Sequence, residues 1–438
     1  MQSLPPFIFV LAVLIFVHEL GHFLMAKRLG VRVLKFSLGF GPRIVGFKRG
    51  DTDYCLSAIP LGGFVKMAGE NPDDPRSGAG DEFLSRSKWQ RFQILIMGPV
   101  MNVLLAVVLM TVVLMQGADV PAYEDKPPVV GAVLAGSPAE RGGIKPQDRI
   151  VSVAGRRTDT WNQFFIAIGS RANRVVPIVL LREGRELTVE VVPDAHTKYE
   201  IGEIGVMPDV HPHIGTVTPG EPADKAGLKA GDVVIAVDGE TMVSAKQLSD
   251  AIAKRAGVAV LFSIERDGTP RDISVTPIKA GSRGKVGISI SDEVKSIRPT
   301  LVEAVWLSLK RNYELSGRIF QTVVGLITTE TSIRQLMGPV AIAQLSGESA
   351  AAGWLSLFTL MAFISLNLGI LNLLPIPALD GGHIFIMAIE GIARRDLSLR
   401  VKEKMLMAGF VLLMLLMVAV IYNDLTRVQW VERLMFWR

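Results

Sequence analysis

Four long stretches without a charged residue govern what this chain can fold into. Pro6 to Val17 is wholly apolar and, continued through His18 to Ala26, reaches spanning length; Phe92 to Met115, Ser349 to Leu379 and Met405 to Tyr422 carry no charge at all. A helix needs about 20 apolar residues to cross the hydrocarbon core of a bilayer, where an unpaired backbone amide finds no partner. The runs therefore predict four transmembrane helices. The third is longer than one span needs, and Pro375 and Pro377 interrupt its end. Apolar residues make up 49% of the chain, and their bunching into uncharged runs places it among membrane proteins, with the lipid bilayer as its surroundings.

Charge adds orientation. Lys and Arg exceed Asp and Glu by only 47 to 42, with no dense basic run, so nucleic acid is not an expected partner. No basic residue precedes the first apolar core, and Lys27 and Arg28 follow it. That pattern reads as a retained span with its N-terminus outside, not a cleaved signal peptide. The loop from Lys27 to Arg91 is rich in Lys and Arg, and the loop before the fourth run holds Arg394, Arg395, Arg400, Lys402 and Lys404. The positive-inside rule puts both loops in the cytoplasm, which leaves residues 117 to about 348 extracytoplasmic. The single cysteine, Cys55, excludes an intrachain disulfide, so the outer part must rest on ordinary cores.

That outer part is duplicated. Gly131 to Ala139 aligns with Gly215 to Ala223, and without a gap Gly143 matches Gly227, Asp148 matches Asp232, Gly155 matches Gly239, Arg182 matches Arg266 and Pro193 matches Pro277. Each copy reads as a strand, a short helix at Pro-Ala, a turn, a second strand, a second helix, and two strands joined at Glu183-Gly184 or Asp267-Gly268. These features resemble tandem PDZ domains of the circularly permuted bacterial kind. The second copy fits closely from Glu221 to Gly239, whereas the first has Gln147 in place of a glycine and Ala154 in place of Asp or Asn. Such modules take peptide C-termini by adding a strand to an exposed edge. A spacer or size filter that binds nothing fits the sequence equally well.

The chemistry sits in the first run. In His18-Glu19-Leu20-Gly21-His22 the two histidines are four apart, so on a helix their imidazoles share a face and can hold one metal ion. Glu19 stands beside them as a base for water. Two imidazoles, a carboxylate and a water suit one Zn2+. On insertion scales an ionisable side chain at the centre of a span costs about 2.5–3.5 kcal/mol, and a bound cation offsets that cost. Asp380, at the end of the third run, is the expected third ligand at matching depth; it also fits a helix cap, and His383 is a rival ligand.

Taken together, His18 to His22, Gly98-Pro99 with Asn102, Gly62 to Met67, the PDZ-like pair, and Asn372 through Pro375, Pro377 and Leu379 to Asp380 closely resemble the site-2 protease family, in particular its bacterial members with two PDZ domains. The resemblance implies zinc on His18, His22 and Asp380, with Glu19 as catalytic base. It also implies a bacterial inner-membrane, multi-pass enzyme that makes the second cut in single-span membrane proteins such as anti-sigma factors or signal-peptide remnants. A re-entrant β-sheet maps between Val31 and Met67; its edge at Gly62, Gly63, Phe64, Val65, Lys66 and Met67 is expected to pair with an unwound substrate. Asn367 and Asn372 are candidates to bind substrate backbone, although Asn367 serves as well to tie its helix to a neighbour. Gly98-Pro99 reads alternatively as a kink, and Asn102 as an interhelical bond.

The expected fold is thus a polytopic α-helical membrane protein of about four transmembrane helices, with a small re-entrant sheet and two extracytoplasmic α+β PDZ domains. Its parts are a first span (1–27), a cytoplasmic-side loop carrying the sheet (28–91), a second span (92–116), PDZ domains (117–204 and 205–292), an amphipathic helical region (293–348), a third span with the Leu-Asp-Gly motif (349–392), and a fourth span with a tail (393–438). Pro72 to Gly80 reads as a flexible loop, and Leu301 to Ile327 as a helix on the outer membrane face. Two rival functions are a membrane-anchored quality-control protease and a non-enzymatic PDZ scaffold with a structural metal.

Overall fold

The computed structural model describes residues 3–70, 79–121, 123–196, 200–281, 283–291, 294–328 and 331–426; the loop expected from Pro72 falls outside them as far as residue 78, as does the tail after residue 426. The chain divides into two units, Met1–Gly117 with Arg298–Arg438, and Ala118–Ile297.

The first unit is built on helices α1 (Leu4–Arg28), α2 (Lys88–Met115), α7 (Leu301–Ile327), α8 (Pro339–Ala352), α9 (Trp354–Asn372), α10 (Asp380–Ile392) and α11 (Leu399–Thr426). Four of them, α1, α2, α9 and α11, are long and apolar enough to cross a membrane. Prolines open α1, where a missing N–H costs nothing, and Lys27 and Arg28 close it with charges that suit a helix C-terminus. Ser87 and Gln90 form a capping box at the start of α2. The third uncharged run is not one helix. Gly353 adopts φ +115°, a conformation barred to other residues, and the run's first residues belong to α8. Its last residues form the proline-bearing turn between α9 and α10.

These helices touch through small and hydroxyl-bearing residues, as close packing in a membrane requires. Ser365 Oγ on α9 donates to the Asn102 carbonyl at 2.8 Å, Ser308 Oγ on α7 donates to the Val107 carbonyl at 2.8 Å, and Gly369 allows α9 to meet the Pro99 carbonyl. Between α1 and α2 lie strands β1 (Val33–Arg49) and β2 (Thr52–Met67), in the region expected to hold a sheet. The first part of β1 is flanked by two stretches of β2: Phe36 pairs with both Val65 and Tyr54, while Arg49 pairs with Thr52 at the far end. Val33, Phe36, Val65 and Met67 are buried with Ala26 and Ile94, which fixes the sheet against α1 and α2.

The second unit holds the duplication. Its ends pair with each other, β3 (Ala118–Pro121) against β20 (Val294–Ile297). The first copy runs β4 (Val130–Val133), α3 (Pro138–Arg141), β5 (Arg149–Val153), β6 (Arg156–Arg157), α4 (Trp161–Gly169), β7 (Val176–Arg182), β8 (Arg185–Val191), β9 (Asp194–His196), β10 (Ile201–Glu203) and β11 (Val206–Pro208). The second repeats it as β12 (His213–Val217), α5 (Pro222–Ala226), β13 (Val233–Val237), β14 (Glu240–Thr241), α6 (Ala245–Ala253), β15 (Val260–Arg266), β16 (Thr269–Val275), β17 (Ile278–Ala280), β18 (Arg283–Lys285) and β19 (Ile288–Ser291). Each copy closes on its own core, around Trp161, Phe164 and Leu180 in the first and Leu248, Phe262 and Ile264 in the second. Strand pairing corrects one boundary. β11 pairs with β4, and β19 with β12, so the last strand of each copy returns to its first. Val206–Pro208 therefore completes the first copy, where a division between 204 and 205 assigned it to the second.

Candidate metal centre

His18 and His22 lie one helical turn apart on α1 and are buried, with ring centroids 4.9 Å apart. Their Nε2 atoms are 3.2 Å from each other and lie 3.1 Å and 3.5 Å from Asp380 Oδ2. The three candidate ligand atoms are all within 4.8 Å of one another, the convergence a single ion needs. His383 does not belong to this group, one turn further along α10.

Local sequence explains why Asp380 arrives there. Asp380 opens α10 after a turn broken by Pro375 and Pro377. A side chain at Gly381 would strike the Leu373 and Leu374 carbonyls, and one at Gly382 would strike Ile376. The two glycines let α10 fold back tightly on that turn, and Gly409 of α11 packs against Pro377 from outside. Asp380 is only partly buried, with 19% of its side chain exposed, so the site keeps an open side.

α2 supplies the support behind the histidines. The Ile94 carbonyl accepts from His22 Nδ1 at 2.8 Å, and the Asn102 amide lies 3.3 Å from His18 Nδ1. Between them, a Cβ on Gly98 would collide with His22 Nε2 and reach 2.9 Å from His18 Cε1. Residues 94, 98 and 102 thus form one stripe, four apart, facing His22 and His18. The contact from Asn102 to His18 is an interhelical bond, one of the two readings the sequence offered for this residue; that its partner is His18, and that Gly98 makes room for both rings, was not read from the sequence. The available signal was an amide deep in an uncharged run, ten residues in from its start, with two histidines in another such run.

Glu19 is half-buried beside His18 and His22. Gly63 of β2 brings the strand against it, since a Cβ there would reach 3.0 Å from Glu19 Cγ and 2.9 Å from the Ser37 carbonyl. Gly63 through Met67 pairs on one side with Leu38 through Val33; among the described residues no strand pairs with its other edge. Val65 and Met67 point into the core, Lys66 is exposed, and Phe64 stacks on Phe40 with Lys35 Nζ 5.4 Å from its ring. Gly62, at φ +131°, turns the chain against the Phe40 ring. Asn367 donates to the Phe363 carbonyl of its own helix at 2.8 Å, and Asn372, the last residue of α9, is partly exposed with its amide unpaired among the described residues.

The sequence matches the description Peptidase family M50 over residues 6–416. The regulator of sigma-E protease RseP of Escherichia coli is 33% identical to it over 97% of this chain and 98% of its own. Protease RseP of Yersinia pestis is likewise 33% identical over 97% and 98%. A relative from Vibrio cholerae that carries a zinc-metalloprotease name is 33% identical over 96% and 98%.

Proposed function

Because the chain belongs to peptidase family M50, we propose that the cluster on α1 and α10 is the catalytic centre of an intramembrane protease making the second cut in single-span membrane proteins. It is a metalloendopeptidase of the site-2 type, and its metal is zinc. The observation that carries the reading is the convergence of His18, His22 and Asp380 where α1 is apolar enough to span a membrane. The residues fit the ion: two imidazole nitrogens and one carboxylate oxygen converge, and Gly98 leaves room for both rings. Bound there, zinc supplies Lewis acidity toward a water molecule and a scissile carbonyl.

The chain's own groups do the rest. Glu19 takes a proton from the attacking water and returns it to the leaving amine, so no covalent enzyme intermediate is needed. A substrate helix hides its peptide bonds until it unwinds. The edge of Gly63–Met67 that is free among the described residues, held beside Glu19 by Gly63, supports pairing with such an unwound stretch, and the Asn372 amide, likewise unpaired among them, supports a contact to its backbone. Phe40, Ile44, Val45 and Phe47 are exposed on the hairpin, as expected of a sheet dipping into lipid. Helix α7 has three faces: Ala304, Ser308 and Asn312 are buried, Val302, Trp306, Tyr313 and Phe320 are exposed and apolar, and Glu303, Lys310 and Glu314 are exposed and charged. That division supports a place at the membrane surface. The basic loops favour an inner-membrane protein with its N-terminus and PDZ-like pair outside the cytoplasm, where the pair bars untrimmed substrates. The names of the relatives, as regulators of sigma-E, fit release of an anti-sigma factor.

The test is co-expression with a single-span reporter already trimmed on its outer side. Glu19→Gln is expected to lower cleavage by at least about 100-fold, the usual contribution of a positioned base. Unchanged cleavage would overturn the assignment.

A further inference from the structure

Asn102 is fully buried, yet among the described residues its Oδ1 has no hydrogen-bond partner, while its Nδ2 lies 3.3 Å from His18 Nδ1. The two ends of a carboxamide have nearly the same shape and interchange by a half-turn about the last side-chain bond. The ring it faces decides between them. His18 Nε2 points at Asp380 Oδ2 and His22 Nε2, so Nε2 is the ligating atom and must keep its lone pair. A neutral imidazole then carries its hydrogen on Nδ1, where only an acceptor can meet it. His22 solves the same problem with main chain, since the Ile94 carbonyl accepts from its Nδ1.

We propose that Asn102 is a positioning residue that turns its amide oxygen toward His18 and accepts the Nδ1 hydrogen, fixing the ring so that Nε2 faces the metal. One stripe of α2 thereby holds both ligating histidines, His22 by an unchangeable carbonyl and His18 by a side chain. The Asn102 carbonyl is itself gripped by Ser365 Oγ of α9, which ties the turn that orients His18 to the helix leading toward Asp380. Partners of this kind, outside the ligand set, change metal affinity by about 10–100-fold when removed.

The inference rests on the zinc reading of the site, so zinc affinity is measured first, by chelator competition on the purified full-length protein in detergent. Loss of high-affinity zinc in His18→Ala establishes that reading; an unchanged His18→Ala would remove it and the inference with it. Asn102→Leu, which cannot accept, is expected to weaken zinc binding by about 10–100-fold. Asn102→Asp, whose ionised carboxylate can only accept, is expected to stay within a few-fold of the parent. If His18→Ala abolishes binding but Asn102→Leu binds like the parent, or Asn102→Asp falls as far as Asn102→Leu, the role of Asn102 is refuted while the zinc site stands. Should Asn102→Leu not fold, nitrogen-15 spectra of the histidine-labelled parent decide: the inference requires the zinc-bound His18 ring to carry its hydrogen on Nδ1, and a hydrogen on Nε2 overturns it.

Discussion

Asp148 and Asp232 sit 84 residues apart and make the same contacts. Arg182 Nε and Nη2 donate to the two oxygens of Asp148 at 2.7 Å each, and Arg266 does the same to Asp232 at 2.6 and 2.7 Å. Each arginine also reaches a glycine carbonyl, Gly143 or Gly227, and each aspartate accepts from a lysine amide, Lys145 or Lys229. All four charged residues were visible as matching positions in the repeat, but only as turn markers. That they pair across 34 residues was hidden, because sequence shows identity of position and not closure in space. Burial alone would raise the Asp232 carboxyl, but the hydrogen bonds from Arg266 and Lys229 outweigh it and hold it below the usual carboxylate range. A depressed folded-state value means the unfolded chain binds the proton more readily, so the stabilisation is present above the unfolded value of about 4 and is lost as pH falls through the folded one. Asp232→Asn removes the charge partner of a partly buried guanidinium and is expected to destabilise the second copy by about 1.5–3 kcal/mol. Thermal melts of the full chain at neutral pH check this: the loss should be large there and shrink as acid protonates the parent. One of the first copy's departures from the pattern, Ala154, has a local account. Asp238 accepts the Leu261 amide at 2.8 Å, and the position matching Leu261 is Pro177, which has no N–H to offer, so Ala154 leaves no donor unmet.

At the scale of elements, hydropathy was a better guide to which segments are helices than to where they stop. The first, second and fourth runs correspond to α1, α2 and α11, because an uncharged stretch of spanning length has few other stable forms. The third run concealed a break at Gly353, since neither glycine nor the three alanines before it disturb an apolar average. What starts α8 was also out of sight. Asp424, near the end of α11 and almost fully buried, accepts from the backbone amides of Gly338, Val340 and Ala341, at 3.0 to 3.1 Å. The neighbouring Asn423 amide donates to the Arg334 carbonyl. A helix start needs acceptors for its unpaired amides, and here they come from a residue more than 80 positions later. At its other end α11 is held by Lys402, 2.7 Å from the buried Glu390. Asp424→Ala is therefore expected to free the first turn of α8 and loosen the end of α11 together. Hydrogen exchange of the Gly338, Val340 and Ala341 amides should quicken by at least about tenfold, the equivalent of losing a capping interaction of about 1–2 kcal/mol. Unaltered protection there would show that the cap is dispensable.

For the molecule as a whole, the repeat made the two-unit plan legible in outline, because a matching series of Gly, Pro and Asp positions marks a duplicated module. It did not show how the module is inserted. Ala118 pairs with Ile297 and Pro121 with Val294, so the chain leaves the helical unit and returns to it at adjacent points. Residues 118–297 then form an insertion whose removal need not stretch the remainder. His18, His22 and Asp380, the proposed metal ligands, and Glu19, the α2 stripe and the Gly63 edge all belong to the other unit. If the duplicated unit serves only to bar bulky substrates, replacing it with a short flexible linker should leave zinc affinity unchanged and should raise cleavage of a reporter that keeps its folded outer domain. If instead it delivers substrates through peptide binding, the same excision should lower cleavage of a trimmed reporter. Comparing both reporters in the excised and intact proteins separates the two roles. A gate predicts a gain confined to the untrimmed reporter, and an excised enzyme that treats both reporters like the intact one would leave the unit without a part in selection.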